Sequence, residues 1–120
     1  EDMKTLLDKV SATGPETVVI TDGSKGAFVH DGVGSGYWHM PVFPVKVVEK
    51  TGAGDSFAIG FVAALAHGKS LDEALKWGTA NSASVVTKIG PQPGLLTIAG
   101  INKMIRRHGK IVPKAHRSRI

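Results

Sequence analysis

The stretch EKTGAGDSF, residues 49–57, constrains the fold of this chain more than any other feature of its sequence. It joins the β-branched run Val45–Val48 to the almost uninterrupted apolar run Phe57–Leu65, a pattern typical of a passage from an extended segment into a helix. Small residues let the backbone N–H groups at the start of that helix approach an anion closely. These residues alone leave two interpretations open: a turn whose acidic Asp55 complements the helix dipole, and an anion cradle with a carboxylate beside it.

The composition indicates one small folded domain or part of a larger one. The chain has 120 residues, of which 42% are hydrophobic and 21% charged. No apolar run reaches the roughly 18 residues that a membrane span needs, and the polar first residues show no signal peptide, so we expect no membrane partner. The absence of cysteine excludes disulfides and zinc–thiolate sites and fits a cytoplasmic protein. Because the chain opens on Glu1 rather than Met, we expect a cut or processed end.

The net charge of +5 comes from one end of the chain. Residues 106–120 hold six of the 15 basic residues, and no acidic residue follows Glu73. The other nine basic residues are balanced by ten acidic ones. We therefore expect residues 106–120 to form a solvated basic tail, and this charge does not favour nucleic acid as a partner. Binding to nucleic acid or another partner through the tail is kept as an alternative function.

The first part of the chain predicts a short helix followed by strands. Apolar residues at helical spacing predict a helix over residues 2–12. A buried strand is expected at Thr17–Thr21, and the turn DGSKG leads from it into AFVHDG, which predicts a β-hairpin. Another strand is expected at Tyr37–Met40, and an extended segment resumes at Val45–Val48.

Three helices are predicted after the glycine-rich turn. The first, over residues 55–67, is apolar on nearly every side and should be buried between layers. A capping box of Ser70 and Glu73 starts the second, which continues to about Lys88. The last covers Thr97–Arg107, so strands and helices together predict an α/β fold. The predicted packing face of the second helix consists of Ala74, Leu75, Ala80, Ala83 and Val86.

Residues 49–57 resemble the second signature of the ribokinase-like (PfkB) carbohydrate kinases, a pattern close to D-T-x-G-A-G-D-x-F. The residues that follow this pattern are Thr51, Gly52, Ala53, Gly54, Asp55 and Phe57. The hairpin TDGSKG and the helix GFVAAL also resemble the family, and ANSASVVTKIGPQ resembles the helix and loop beside its adenine pocket. The resemblance covers roughly residues 3–105. It implies a three-layer α/β/α ribokinase-like, or Rossmann-like, fold.

The resemblance also implies that the chain holds only the carboxy-terminal part of such a kinase. Residues 1–105 would be its ATP-binding and catalytic portion, without the amino-terminal sugar-binding part and lid. We therefore expect a fragment, and expect a homodimer only of the full-length protein. A nucleotide-binding module without catalysis is the other interpretation that the absent sugar-binding part leaves open.

The activity that the resemblance implies is transfer of the γ-phosphoryl group of ATP to a hydroxyl group of a sugar or nucleoside, with Mg²⁺. Asp55 would be the catalytic base, and the Gly52-Ala53-Gly54 turn would form the anion hole. Asn81 is expected either on the adenine side of the site or facing solvent. The residues implied in nucleotide binding are Thr21, Gly23, Gly26, Thr51 and Asn81.

A monovalent cation, K⁺, is a further ligand that the resemblance suggests. In several members of the family the loop that begins the signature binds it, together with a loop that lies here near Gly90. Glu49 stands where the family usually has Asp, and Lys50 where it usually has Thr. Glu49 is therefore the candidate ligand, with a longer side chain than the family's own.

Overall fold

A computed structural model describes residues 17–30, 37–48, 52–87 and 96–116 of the chain. The described part contains one four-stranded sheet and three α-helices. The helix predicted over residues 2–12 lies outside it.

The strands are antiparallel and lie in the sheet in chain order, and the three helices come between the third strand and the fourth in the chain. Thr21 pairs with Ala27 across the first turn, which confirms the predicted hairpin. The predicted third strand is confirmed as well, whereas residues 45–48 add no strand to the sheet. The strands are β1 (Val18–Thr21), β2 (Ala27–His30), β3 (Tyr37–Met40) and β4 (Lys114–His116).

The turn between β1 and β2 depends on Gly26. Residues Gly23–Lys25 form a single 3-10 turn, and Gly26 follows it with a φ of 93°. A Cβ atom on Gly26 would lie 2.1 Å from the carbonyl oxygen of Met40, at the end of β3. Glycine is therefore required for this turn to lie against the neighbouring strand.

The basic tail expected over residues 106–120 contains a strand, β4, although most of its described residues are exposed. The last helix ends at Arg107, and Ala115 of β4 then pairs with Trp38 of β3. A three-residue strand is too short to show a period in the sequence. It forms here because the edge of β3 offers unpaired backbone groups.

The helices are α1 (Ala53–Ala66), α2 (Leu71–Val86) and α3 (Ile98–Arg107). α1 begins at Ala53 rather than at Asp55, because Gly52 before it adopts a left-handed conformation with a φ of 85°. No described helix combines the length and the hydropathy that crossing a membrane requires.

The predicted capping box at the start of α2 is wrong. Ser70 is the N-cap residue, but its hydroxyl group donates a hydrogen bond to the Asp72 carboxylate, and no side chain caps the helix. Glu73 instead forms an ion pair with Lys76, with 3.2 Å between Oε1 and Nζ. Ser70 and Glu73 thus each bond to another side chain, and the reciprocal bonds of a capping box are not made.

α1 and α2 cross at a pair of glycines. A Cβ on Gly60 would lie 2.7 Å from the carbonyl oxygen of Trp77, and one on Gly78 would lie 2.8 Å from the ring of Phe57. Both positions therefore exclude a side chain, and the two backbones approach closely. Buried residues of the surrounding core include Val29, Met40, Phe43, Phe61, Leu75 and Trp77.

The burial of the two helices partly matches the sequence analysis. All five residues of the predicted α2 packing face are buried, as expected. The prediction that α1 is buried between layers is wrong for the described structure, since Ile59 and Val62 are 55% and 62% exposed. α2 packs against α1 on the side of Phe57 and Phe61, and the described residues leave the side of Ile59 and Val62 open.

We expect Gly60→Ala to destabilise the fold and Gly54→Ala to leave it intact. Both glycines lie in α1, where alanine favours the helix by about 1 kcal/mol. Only at Gly60 would the new methyl group meet the backbone of α2, and overpacking costs up to about 3 kcal/mol. Urea unfolding followed by circular dichroism should give a lower midpoint for Gly60→Ala alone. Equal midpoints for the two variants would contradict the close crossing.

Candidate functional site

The first turn of α1 begins with backbone N–H groups that have no acceptor inside the helix. Gly52 precedes the helix, and no side chain of the described residues caps its N-terminus. Ser56 is the first residue that bonds back into the helix, with its N–H group 2.9 Å from the carbonyl oxygen of Gly52. The N–H groups of Ala53, Gly54 and Asp55 therefore have no acceptor within the helix, and the helix dipole places partial positive charge there.

A cavity of about 460 Å³ lies between this helix start and the β1–β2 turn. Thr21, Gly23 and Gly26 line it from the β1–β2 turn, and Ala53 and Gly54 line it from α1. The structure thus brings the two glycine-containing motifs of the sequence to one cavity, although they lie far apart in the chain.

Two further walls complete the cavity; the sequence analysis missed residues 42–47, whereas the family resemblance led us to expect part of α2 beside an adenine pocket. Residues 42–47, after β3, supply most of one wall, and α2 supplies the other. The α2 residues are spaced i, i+3, i+4 and i+7, which is one face of a helix and is the signal that could have identified them. They are Thr79, Ser82, Ala83 and Val86.

Within the described part of the chain, no charged side chain lines the cavity. Its polar side chains are the hydroxyl residues Thr21, Ser24, Thr79 and Ser82, and most of the other lining residues are apolar. An anion held here would therefore depend on backbone N–H groups for its stabilisation, and the start of α1 supplies them.

Asn81 does not lie in the cavity wall, although its neighbour Ser82 does. It is 2% exposed, its carboxamide nitrogen donates to the carbonyl oxygen of Ser56 at 2.8 Å, and its carboxamide oxygen accepts from the N–H group of Leu96 at 2.9 Å. Successive helical residues point about 100° apart, which turns Asn81 toward α1. The solvent-facing alternative is therefore wrong, and both polar atoms of the side chain expected on the adenine side are bonded within the protein.

The remaining predicted site residues lie beside the cavity or outside the described part. Asp55 has an exposed side chain and follows the wall residue Gly54. Thr51 and Glu49 lie outside the described residues. Among the residues that the structure describes, no group of three His, Asp or Glu side chains could hold a metal ion.

Comparison with known proteins assigns the family. The sequence pattern of the pfkB family carbohydrate kinases matches residues 1–98. A ribokinase of Haemophilus influenzae is 45% identical over 84 residues, which are 70% of this chain and 27% of the ribokinase. A cytidine kinase of Thermococcus kodakarensis is 37% identical over 90 residues, which are 75% of this chain and 32% of that kinase.

A solved structure agrees with the sequence relatives. The Arabidopsis thaliana ribokinase complexed with ribose and ATP superposes with a TM-score of 0.78 and 27% identity, over 85% of this chain and 33% of the ribokinase. The predicted ribokinase-like α/β fold is confirmed. This chain belongs to the pfkB family of carbohydrate kinases. It spans about a third of the length of the relatives it matches.

Proposed function

We propose that this chain is the ATP-binding and catalytic portion of a kinase that transfers the γ-phosphoryl group of ATP to a hydroxyl group of a sugar or nucleoside. The observation that carries the proposal is the shared cavity of the α1 start and the β1–β2 turn. The family supports the reaction class, and the ribokinase and cytidine kinase relatives support a sugar or nucleoside as acceptor.

The cavity suits a nucleotide. Its volume of about 460 Å³ falls within the range of small-molecule sites, about 300–1,000 Å³. Apolar residues such as Phe43 and Val86 would contact the aromatic base, and hydroxyl groups such as those of Thr21 and Ser82 offer hydrogen bonds to the ribose. The phosphates would then point to the start of α1.

The N–H groups of Ala53, Gly54 and Asp55 would form the anion hole. The transition state of phosphoryl transfer spreads negative charge over the phosphoryl oxygens, so catalysis consists mostly of positioning and electrostatic stabilisation. Donors fixed in a helix need no reorganisation when this charge develops. A Cβ on Gly54 would meet nothing within 4 Å, so a phosphate can approach the backbone there.

Asp55 would accept the proton of the attacking hydroxyl group. Its exposed side chain lies in the first turn of α1, beside the proposed anion hole. The helix dipole favours a carboxylate at this position. Because the transition state is loose, the hydroxyl group loses its proton late, and a weak base suffices.

Mg²⁺ bound to the phosphates would neutralise part of their charge. The described residues contain no cluster that fits such an ion, so we assign it no ligand from this chain. Glu49 stays a predicted ligand of K⁺, because it lies outside the described residues.

The acceptor would be held by a part of the kinase beyond these 120 residues. This chain spans about a third of the length of its relatives, and the resemblance places sugar binding in the amino-terminal part of such kinases. We therefore assign the ATP side of the reaction to residues 1–105, and refer to the protein that joins this chain to a sugar-binding part as the complete kinase.

We expect Asp55→Asn in the complete kinase to lower kcat by about two to four orders of magnitude, because it removes a general base without changing the shape of the side chain. The KM for ATP should change little. Steady-state kinetics with coupled ADP detection measure both. Asp72→Asn is the matched control, since Asp72 lies in the first turn of α2, away from the cavity wall. Near-normal turnover of Asp55→Asn would reduce Asp55 to a residue that stabilises the helix start.

We expect Gly54→Val to abolish ATP-dependent turnover of the complete kinase while the fold is retained. The new side chain would enter space that is empty of protein and that the phosphate needs. Ala58→Val is the control, because Ala58 is exposed on the same helix and does not line the cavity. Unchanged circular dichroism together with unchanged kinetics for Gly54→Val would refute the anion hole.

We expect residues 1–120 alone to phosphorylate no sugar or nucleoside and to bind ATP only weakly. Transfer requires both substrates within attack distance, and this chain would hold one of them. The exposed side chains of Ile59 and Val62 should also favour self-association. Coupled ADP release with a panel of sugars and nucleosides, alongside light scattering, tests this. Sugar-dependent turnover by the monomeric chain would overturn the assignment of the acceptor to another part.

A further inference from the structure

Asn81 joins three elements of the structure through one buried side chain. It belongs to α2, its carboxamide nitrogen donates to the Ser56 carbonyl oxygen in α1, and its carboxamide oxygen accepts from the N–H group of Leu96, just before α3. The side chain is 2% exposed, so water cannot replace either bond without opening the core. Both the carboxamide nitrogen and the carboxamide oxygen of Asn81 are thus hydrogen-bonded within the protein.

The acceptor on α1 belongs to the turn that carries the proposed anion hole. Ser56 directly follows Asp55, and it bonds twice to the carbonyl oxygen of Gly52, from its N–H group at 2.9 Å and from its hydroxyl group at 2.8 Å. A bond from Asn81 to Ser56 therefore restrains both ends of this turn. The restraint comes from α2, whose adjacent face lines the cavity through Ser82.

The glycine crossing explains how so short a side chain reaches another helix. Gly78 and Asn81 are one turn apart on α2, and Ser56 and Gly60 are one turn apart on α1. A Cβ on Gly60 would lie only 2.7 Å from the backbone of α2, so the two helices approach closely beside this hydrogen bond. An amide at position 81 can span the remaining gap.

We propose that Asn81 is a positioning residue, which fixes the first turn of α1 relative to the cavity wall on α2 and ties it to the segment that starts α3. This inference rests on the proposed function, because the turn it fixes is the proposed anion hole with Asp55. Asn81 acts through Ser56 and Leu96 and does not touch the nucleotide.

Two variants separate the two bonds of Asn81. Asn81→Ala removes both. Asn81→Asp keeps an oxygen that can accept from the N–H group of Leu96, but it places a carboxylate oxygen against the carbonyl oxygen of Ser56. Ala74→Gly is the reference, because Ala74 is a fully buried residue of α2 and glycine there weakens the fold without touching these bonds.

Amide hydrogen exchange of the full chain, followed by mass spectrometry, tests the link without any need for activity. Relative to Ala74→Gly, we expect Asn81→Ala to speed exchange about tenfold in peptides covering residues 52–60 and 96–101. Asn81→Asp should speed it in residues 52–60 only. Exchange in residues 52–60 that matches the Ala74→Gly reference for both variants would overturn the proposal.

Kinetics of the complete kinase separate positioning from direct contact. Misplaced catalytic groups should lower kcat by about 10- to 100-fold in both Asn81 variants, with the KM for ATP changed by no more than about twofold. A rise in the KM for ATP with kcat unchanged would instead identify an adenine contact and overturn the proposal. Kinetics equal to those of Ala74→Gly would also overturn it. If the complete kinase without substitutions transferred no phosphoryl group, the proposed function would be refuted. The hydrogen-exchange measurement would still decide the role of Asn81.

Discussion

The close crossing of α1 and α2 at Gly60 and Gly78 is the constraint on which the site depends. Because neither glycine has room for a side chain, the first turn of α1 lies directly against α2. Two consequences follow on different faces of α2. Asn81 reaches the backbone of α1, while Ser82 faces the cavity whose other wall carries Gly54. A larger distance between α1 and α2 would therefore both break the hydrogen bond from Asn81 to Ser56 and enlarge the cavity.

The electrostatics of the site rest on the backbone. The described cavity wall has no charged side chain, so the attraction proposed for an anion would come from the N–H groups of Ala53, Gly54 and Asp55 and from the helix dipole. Such donors cannot rotate away as a lysine or arginine side chain can. Their direction is set by the orientation of the helix. Packing outside the cavity wall, at Gly60 or Asn81, would therefore bear on the chemistry proposed for Gly54 and Asp55.

The β1–β2 turn shows a similar dependence on close backbone contact. Gly26 permits the turn to lie against Met40 at the end of β3, which places Thr21 and Gly23 on the cavity. The segment after β3 then passes directly into the cavity wall. Close backbone contacts thus shape the cavity at two places, at Gly26 beside β3 and at the crossing of Gly60 and Gly78, and a side chain would not fit at either place.

The sequence by itself determined the local elements and the family, because these depend on residues near one another in the chain. Hydrophobic period predicted the strands at Thr17–Thr21 and Tyr37–Met40, and the packing face of α2. The small residues around Asp55 left a capped turn and an anion cradle open, and the family resemblance favoured the cradle. Only the tertiary structure decided what depends on contacts between distant segments. It paired Lys114–His116 with β3, left Ile59 exposed, and directed the Asn81 side chain toward Ser56 rather than into the cavity. The period of apolar residues in the sequence shows which side of a helix is apolar. The partner of a single polar side chain such as Asn81 depends instead on how closely the neighbouring helix packs. Gly60 and Gly78 set that distance here.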